Sequence, residues 1–307
     1  MDVARLPRAP GVYRFRDAGG RVLYLGRATD LRSRAASYLG DLRDRPHLTA
    51  MVARAVRVEA VACASVHEAA WLERNLLEER MPRYNRTPGG AEVPVYVRLD
   101  TTPAAPGLHV THLPGGRAHG PYLGGLRARV AVRALLKIHP LPYASSRPTG
   151  AQRDLAALLG VRPEDRDRLA EALDAVLNRR PQAVREVLAR LAARRDEAAA
   201  ALNFEHAARL RDDLAAVEWL TSTQRVTAPG AEDCEVHGWA GGVLVSFAVR
   251  DGRLSSWRQR ACSARAARPH LARTPAAWRP FAEEAAVLAA ALLHTSTNVL
   301  PDGLAQP

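Results

Sequence analysis

A tight polar link, Asp17-Ala18-Gly19-Gly20, separates two short alternating runs near the start of the chain. This constrains the fold more than any other feature. The runs are Val12-Tyr13-Arg14-Phe15-Arg16 and Arg21-Val22-Leu23-Tyr24-Leu25. Alternation with a period of two puts successive side chains on opposite faces of a strand, and a short Gly-rich link folds two such strands into a hairpin. A helix is expected next, capped by Thr29 or Asp30, with Leu31, Ala35 and Tyr38 on one face. Residues 56–64 alternate again and read as a third strand. Ser65-Val66-His67-Glu68 has the spacing of a capping box, opening a helix that Pro82 closes. The β-β-α-β-α order, complete by about residue 95, predicts a small α/β unit.

Beyond it, residues 96–150 are rich in Pro and Gly, with a strand expected at 95–99 and a helix at 127–138. Residues 152–222 are helical in pattern. Residues 235–260 read as strands with Asp251-Gly252 as a hairpin turn, followed by a helix over 280–293 and a frayed Pro- and Gly-rich end.

Composition adds a charge argument. The 307 residues include 44 basic and 32 acidic side chains, a net charge of +12. Residues 1–100 hold 17 basic and 12 acidic side chains, residues 101–180 hold 12 and 6, and residues 181–222 hold 6 and 7. A basic front half suggests a polyanionic partner there. No apolar run reaches the roughly 18 residues of a membrane helix, and the start lacks the apolar stretch of a secretory signal. Cys63, Cys234 and Cys262 lie too far apart for a CxxC pair. The expectation is a cytoplasmic chain with no membrane contact, monomeric on its own.

Several residues of the first unit could carry chemistry. Tyr13 and Tyr24 lie on paired strands, Arg27 follows Gly26 directly after the second strand, and Arg34 lies on the next helix. Glu73 sits at the edge of the apolar stripe of Leu72 and Leu76. It reads either as a boundary carboxylate paired with a nearby arginine or as a site residue. The ordered set Gly11-Val12-Tyr13, Tyr24-Leu25-Gly26, Arg34, Glu73 and Asn85 resembles the GIY-YIG nuclease family. Leu6–Tyr13, Leu23–Arg34 and Arg80-Met81-Pro82-Arg83-Tyr84-Asn85 are similar to the catalytic unit of UvrC-type excision-repair nucleases, and Gly120-Pro121-Tyr122 to the segment after it.

That resemblance implies a DNA endonuclease. Glu73 would hold one divalent cation, Mg2+ or Mn2+, as a hard oxygen donor suits. Arg34 would stabilise charge on the phosphate. Tyr13 and Tyr24 would position water, one of them as a base if its phenol were perturbed. Asn85 would orient the phosphate or the metal's waters. Arg27 stands where UvrC-type proteins commonly have lysine, and supplies charge without readily giving up a proton.

Residues 194–212 are similar to the UVR motif, a helical hairpin through which UvrC-type proteins meet UvrB. Asn203 caps its second helix, and Phe204, Ala207 and Leu210 are the expected partner-binding residues. Residues 139–180 hold no cysteine, so no iron–sulfur cluster is expected.

The resulting expectation is an α/β fold in four consecutive segments. They are a GIY-YIG nuclease domain over 1–95, a linker region with strand and helices over 96–180, a UVR hairpin over 181–222, and a degenerate RNase H-like α+β remnant over 223–307. The implied function is a single 3′-side incision in damaged double-stranded DNA, recruited by a UvrB-type subunit. The alternative is a non-catalytic adaptor that binds DNA and UvrB.

Overall fold

The computed structural model describes residues 3–40, 43, 46–86 and 93–293. The first alternating runs form β1 (Gly11–Arg16) and β2 (Val22–Ala28), joined by β3 (Arg57–Ala62) in an antiparallel sheet of order β2-β1-β3. Tyr13 lies between Gly26 on β2 and Ala60 on β3. One sheet face packs Tyr13, Phe15 and Val58 with Leu31, Ala35, Tyr38, Leu48 and Met51 into a single core. Helix α1 (Leu31–Ala36) is capped by Asp30, which accepts the Ser33 N–H at 2.8 Å, so Thr29 is not the cap. Helix α2 (Pro46–Arg54) was not anticipated. Its apolar stripe is Leu48, Met51 and Val52, too short a run to register as a period.

Helix α3 (Val66–Glu79) opens on Ser65, whose Oγ accepts the Glu68 N–H at 2.9 Å. The capping box is modified: the Glu68 carboxylate takes the N–H of Ala64 at 2.7 Å instead of that of Ser65. Its other oxygen accepts the N–H of Arg225 at 2.7 Å, and the Arg225 guanidinium pairs with it at 2.9 Å.

That contact corrects the linear division into four segments. The chain forms two compact units, Met1–Ala91 together with Thr223–Pro307, and Glu92–Ser222. In the first, β7 (Cys234–Ala240), β8 (Val243–Arg250) and β9 (Arg253–Ala261) form an antiparallel meander, with α9 (Ala264–Arg273) and α10 (Arg279–Leu293) after it. Asp251 and Gly252 both have positive φ, 49° and 68°, as the expected hairpin turn needs. Leu288 and Leu292 of α10 pack against the core of the first sheet. The expected frayed end, residues 294–307, lies outside the described residues.

In the second unit, residues 96–180 are no linker. Strands β4 (Val95–Asp100), β5 (Gly107–Thr111) and β6 (Ala118–Tyr122) form a sheet of order β5-β4-β6. Helices α4 (Gly125–Ile138), α5 (Gly150–Leu159) and α6 (Arg166–Leu177) follow, then α7 (Pro181–Ala200) and α8 (Phe204–Thr221). Val97, Leu135, Leu173, Leu191 and Val217 share one core, so the sheet and the α7–α8 hairpin bury their apolar faces together. Lys137, the only lysine of the chain, pairs with the buried Asp213 of α8. Among the described residues no helix is long and apolar enough to cross a membrane.

Candidate active site

The hairpin register decides the geometry. Tyr13 and Tyr24 project from neighbouring strands onto the same sheet face, with ring centroids 6.3 Å apart. Gly26 stands opposite Tyr13, and a Cβ there would lie 2.7 Å from the Tyr13 hydroxyl. Glycine at that place is therefore a steric requirement of the tyrosine. Arg34, on α1, donates from Nε to the Tyr13 hydroxyl at 3.3 Å. The Tyr13 hydroxyl also lies 2.7 Å from that of Tyr38.

Tyr38 is a site residue that the sequence reading placed only in the core. Its ring lies 6.0 Å from that of Tyr24 and 5.5 Å below the Arg34 guanidinium. The signal was available: Arg34 and Tyr38 are four residues apart, the separation at which a helical turn brings side chains together.

The outer edge of β2 carries the rest of the site. An edge strand leaves every second residue's backbone groups unpaired, and they must be satisfied. Leu23 O accepts the Tyr84 N–H at 3.1 Å. The Asn85 side chain closes a ring on Leu25, accepting its N–H at 3.0 Å and donating to its carbonyl at 2.7 Å. Glu73, on α3, accepts the Arg27 N–H at 3.1 Å, and its second oxygen lies 3.3 Å from the Arg27 guanidinium. Asn85 thus has a structural task in addition to the role expected of it. Both ends of its amide are engaged by backbone, so it positions the strand carrying Tyr24 and Gly26. Glu73 is paired with an arginine, as the first of its two sequence readings has it, and its charge also acts on Tyr24.

Burial pushes the Tyr13 phenol far above its usual range, and Tyr38 and Tyr24 add to that while Arg34 opposes it. The Tyr24 phenol is raised for the same reason, by burial first, then by Tyr38 and the negative charge of Glu73. Burial thus favours the protonated form of both phenols in the metal-free chain. Both are protonated hydroxyls that hold a hydrogen-bonding partner in place. Burial raises the Glu73 carboxyl above its ordinary value, although Arg27 and Arg34 pull it down.

Among the described residues no cluster of three or more His, Cys, Asp and Glu stands ready for a metal. A hard cation that keeps most of its waters needs only one or two protein carboxylates. Glu73 fits that description, since its side chain is 24% exposed and its partner Arg27 is half-exposed.

At the tip of the α7–α8 hairpin, Asn203 caps α8 by accepting the His206 N–H at 3.2 Å. Phe204 is 67% exposed and Leu202 beside it 73%. Ala207 is half-buried. Leu210 is 2% exposed, so it is packed inside the unit and is not a partner-binding surface residue as expected.

Comparison with known proteins finds the following similarities. The family model of the UvrC-like GIY-YIG domain matches residues 9–86, and that of the UvrB/uvrC motif matches residues 185–218. The chain is 35% identical over 269 residues to UvrABC system protein C of Symbiobacterium thermophilum, covering 81% of this chain and 42% of that protein. It is 34% identical over 270 residues to UvrABC system protein C of Desulforudis audaxviator, covering 82% and 43%. It therefore spans less than half the length of these curated relatives. Among solved structures, it is similar to the GIY-YIG N-terminal endonuclease domain of UvrC from Thermotoga maritima, bound to magnesium as its catalytic cation. There the identity is 31%, over 27% of this chain and 91% of that one, with a TM-score of 0.25.

Proposed function

Because residues 9–86 are a UvrC-like GIY-YIG domain and residues 185–218 a UvrB/uvrC motif, we propose that the chain is a metal-dependent DNA endonuclease of nucleotide excision repair. It makes one incision, on the 3′ side of a lesion in duplex DNA, brought there by a UvrB-type partner. One observation carries this reading. Tyr13, Tyr24, Tyr38 and Arg34 meet on one sheet face, next to the Glu73 carboxylate at the end of β2.

Each residue has a task that its chemistry supports. Arg34 is a permanent cation that stabilises charge developing on the phosphate. The Tyr13 and Tyr24 hydroxyls orient the attacking water, and Tyr38 fixes the Tyr13 hydroxyl by hydrogen bond. Glu73 would hold a Mg2+ or Mn2+ ion. Bound there, it would supply Lewis-acid polarisation of the phosphoryl oxygen and a more acidic water. Arg27 tethers Glu73 before the ion arrives, an electrostatic role that arginine fills without losing a proton. Phe204 and Ala207 contact the partner, while residues 223–307 are a degenerate RNase H-like segment with a structural role. The chain acts in the cytoplasm, as a monomer until it meets its partner, and without an iron–sulfur cluster.

The second reading is a non-catalytic adaptor for DNA and UvrB. The Arg27–Glu73 pair favours it, because a cation must displace that guanidinium. Incubating the chain with lesion-bearing duplex, loading factors and magnesium separates the two. A nick that disappears in Glu73→Ala supports the nuclease, and intact DNA at full binding supports the adaptor.

A further inference from the structure

The face of the first sheet turned away from the tyrosines holds more positive charge than its carboxylates neutralise. Arg14 and Arg16 point there, alternating with Tyr13 and Phe15. With Arg57 they converge on one buried carboxylate, Glu59, at 2.5, 2.8 and 2.9 Å. Three guanidiniums against one carboxylate leave an excess of cation in a place that water reaches poorly. Arg14 is only 4% exposed, its guanidinium carbon lies 3.7 Å from the centre of the Trp257 ring, and its Nη2 has no hydrogen-bond partner. Burial pulls the Arg14 guanidinium down to about 10 against the pull of Glu59, with Arg16 and Arg57 adding to the strain. Arginine keeps its proton, so the strain remains as unneutralised charge.

Arg14, Arg16 and Trp257 line a cleft of about 630 Å³ between the hairpin, the end of α3 and β9. A second cavity of about 670 Å³ continues it, since Arg16, Ser255, Ser256 and Arg258 line both. Arg80, Arg83 and Arg258 stand exposed along the first cavity, and among the described residues none is paired with a carboxylate. Of the two carboxylates lining that cavity, Asp17 is already engaged by Arg21 at 3.0 Å and Arg54 at 3.9 Å, and Glu79 stands exposed where the two cavities share their lining, so the arginines still outnumber the acids.

We propose that this arginine cleft is a second, non-catalytic site that holds the phosphates of a single nucleic-acid strand. Cationic side chains spread along two joined cavities fit an extended polyanion better than one compact phosphate. Cavities of a few hundred Å³ admit one strand and exclude a duplex. The choice of nucleic acid as the polyanion rests on the function proposed above.

The test uses the whole chain and a fluorescein-labelled oligothymidylate, read by anisotropy without divalent metal so that nothing is cut. Arg80→Gln/Arg258→Gln should bind the strand at least about tenfold more weakly, and its log–log salt slope should fall by about 1.4, two contacts at about 0.7 each. Arg83→Gln, a single exposed change, should weaken binding in the same direction and serves if the double variant melts early. Glu73→Gln should bind the strand as the wild type does. Unchanged affinity and slope in the arginine variants overturn the proposal. So does a cleft that takes tripolyphosphate and no strand, which would be a site for small phosphate compounds. Failure of the nuclease reading looks different: arginine-dependent strand binding by a wild-type chain that never cuts when magnesium is added.

Discussion

Glu73 holds Arg27 twice, through the backbone N–H at 3.1 Å and through the guanidinium at 3.3 Å. One carboxylate thereby takes the Arg27 N–H on the outer edge of β2 and keeps its charge beside Tyr24. The arrangement ties the shape of the strand to the electrostatics of the site. Any change at Glu73 should thus be read on stability and on chemistry separately.

For chemistry, Glu73→Gln should abolish cutting and leave duplex affinity within about twofold, because phosphate contacts by arginines dominate binding. A nicking assay paired with a binding titration measures both. Cutting at the wild-type rate would remove Glu73 from the site.

For stability, the sign follows from the raised Glu73 carboxyl. A carboxyl whose folded-state value lies above its unfolded one costs stability wherever it is ionised, and the cost fades as pH falls through that raised value and is gone below the ordinary value of 4.5. Glu73→Gln should therefore melt at or above the wild-type temperature at neutral pH, with the difference shrinking as pH falls toward the ordinary carboxyl value of 4.5 and gone below it. Melting curves across that range check it. A variant that melts lower at pH 7 would show that the Arg27 tether outweighs the cost of ionisation.

Asn85→Ala should behave in the opposite way. It removes two hydrogen bonds to Leu25 and frees the edge of β2, which should cost about 1–3 kcal/mol of stability. Asn85→Asp should be worse still, since it sets an acceptor against the Leu25 carbonyl. Cutting should fall with the loss of β2 geometry while DNA affinity holds. Weaker DNA binding at unchanged stability would return Asn85 to a direct phosphate contact.

Tyr38→Phe tests the tyrosine network. It keeps the ring packing and removes the hydroxyl 2.7 Å from that of Tyr13. Cutting should drop by about 10–100-fold, the loss of about 1.4–2.7 kcal/mol of orientation. The melting temperature should move little. In an ultraviolet titration, Tyr13 and Tyr24 should ionise well above the usual phenol range, as their burial requires. A phenolate that appears near neutral pH and vanishes in Tyr13→Phe would restore a tyrosine base.

Much of this was legible from short-range pattern. The period-two runs around Asp17–Gly20 fixed the hairpin, and hence the pairing of Tyr13 with Gly26. The Asp251-Gly252 turn was equally local. What escaped depends on contacts far apart in sequence. Nothing near Arg14 signals that it will be buried against Trp257, 243 residues later. Likewise, Asn85 looks like a ligand residue until β2 is seen to be an edge strand with an open N–H and carbonyl at Leu25. Residues 96–180 read as a linker because β5 and β6 are five-residue strands rich in Gly, Pro and His, and their burial comes from α4 and α8.

The last prediction separates two neighbours on α8. Phe204 is a large apolar side chain left 67% exposed at the hairpin tip, whereas Leu210, six residues on, is buried at 2%. An exposed aromatic contributes little to the fold but can anchor an interface with about 2 kcal/mol or more. Phe204→Ala should thus weaken association with a UvrB-type partner by about thirtyfold, at about 1.4 kcal/mol per decade. Its melting temperature and its cutting of already bubbled DNA should stay those of the wild type. Leu210→Ala should do the reverse, losing about 2–5 kcal/mol of stability through the cavity it leaves, with partner affinity preserved wherever the unit is folded. A pull-down titration and melting curves on both variants decide the matter. Should Phe204→Ala melt early and bind normally, the hairpin tip packs within the chain, and the UvrB-type partner must be sought on another surface.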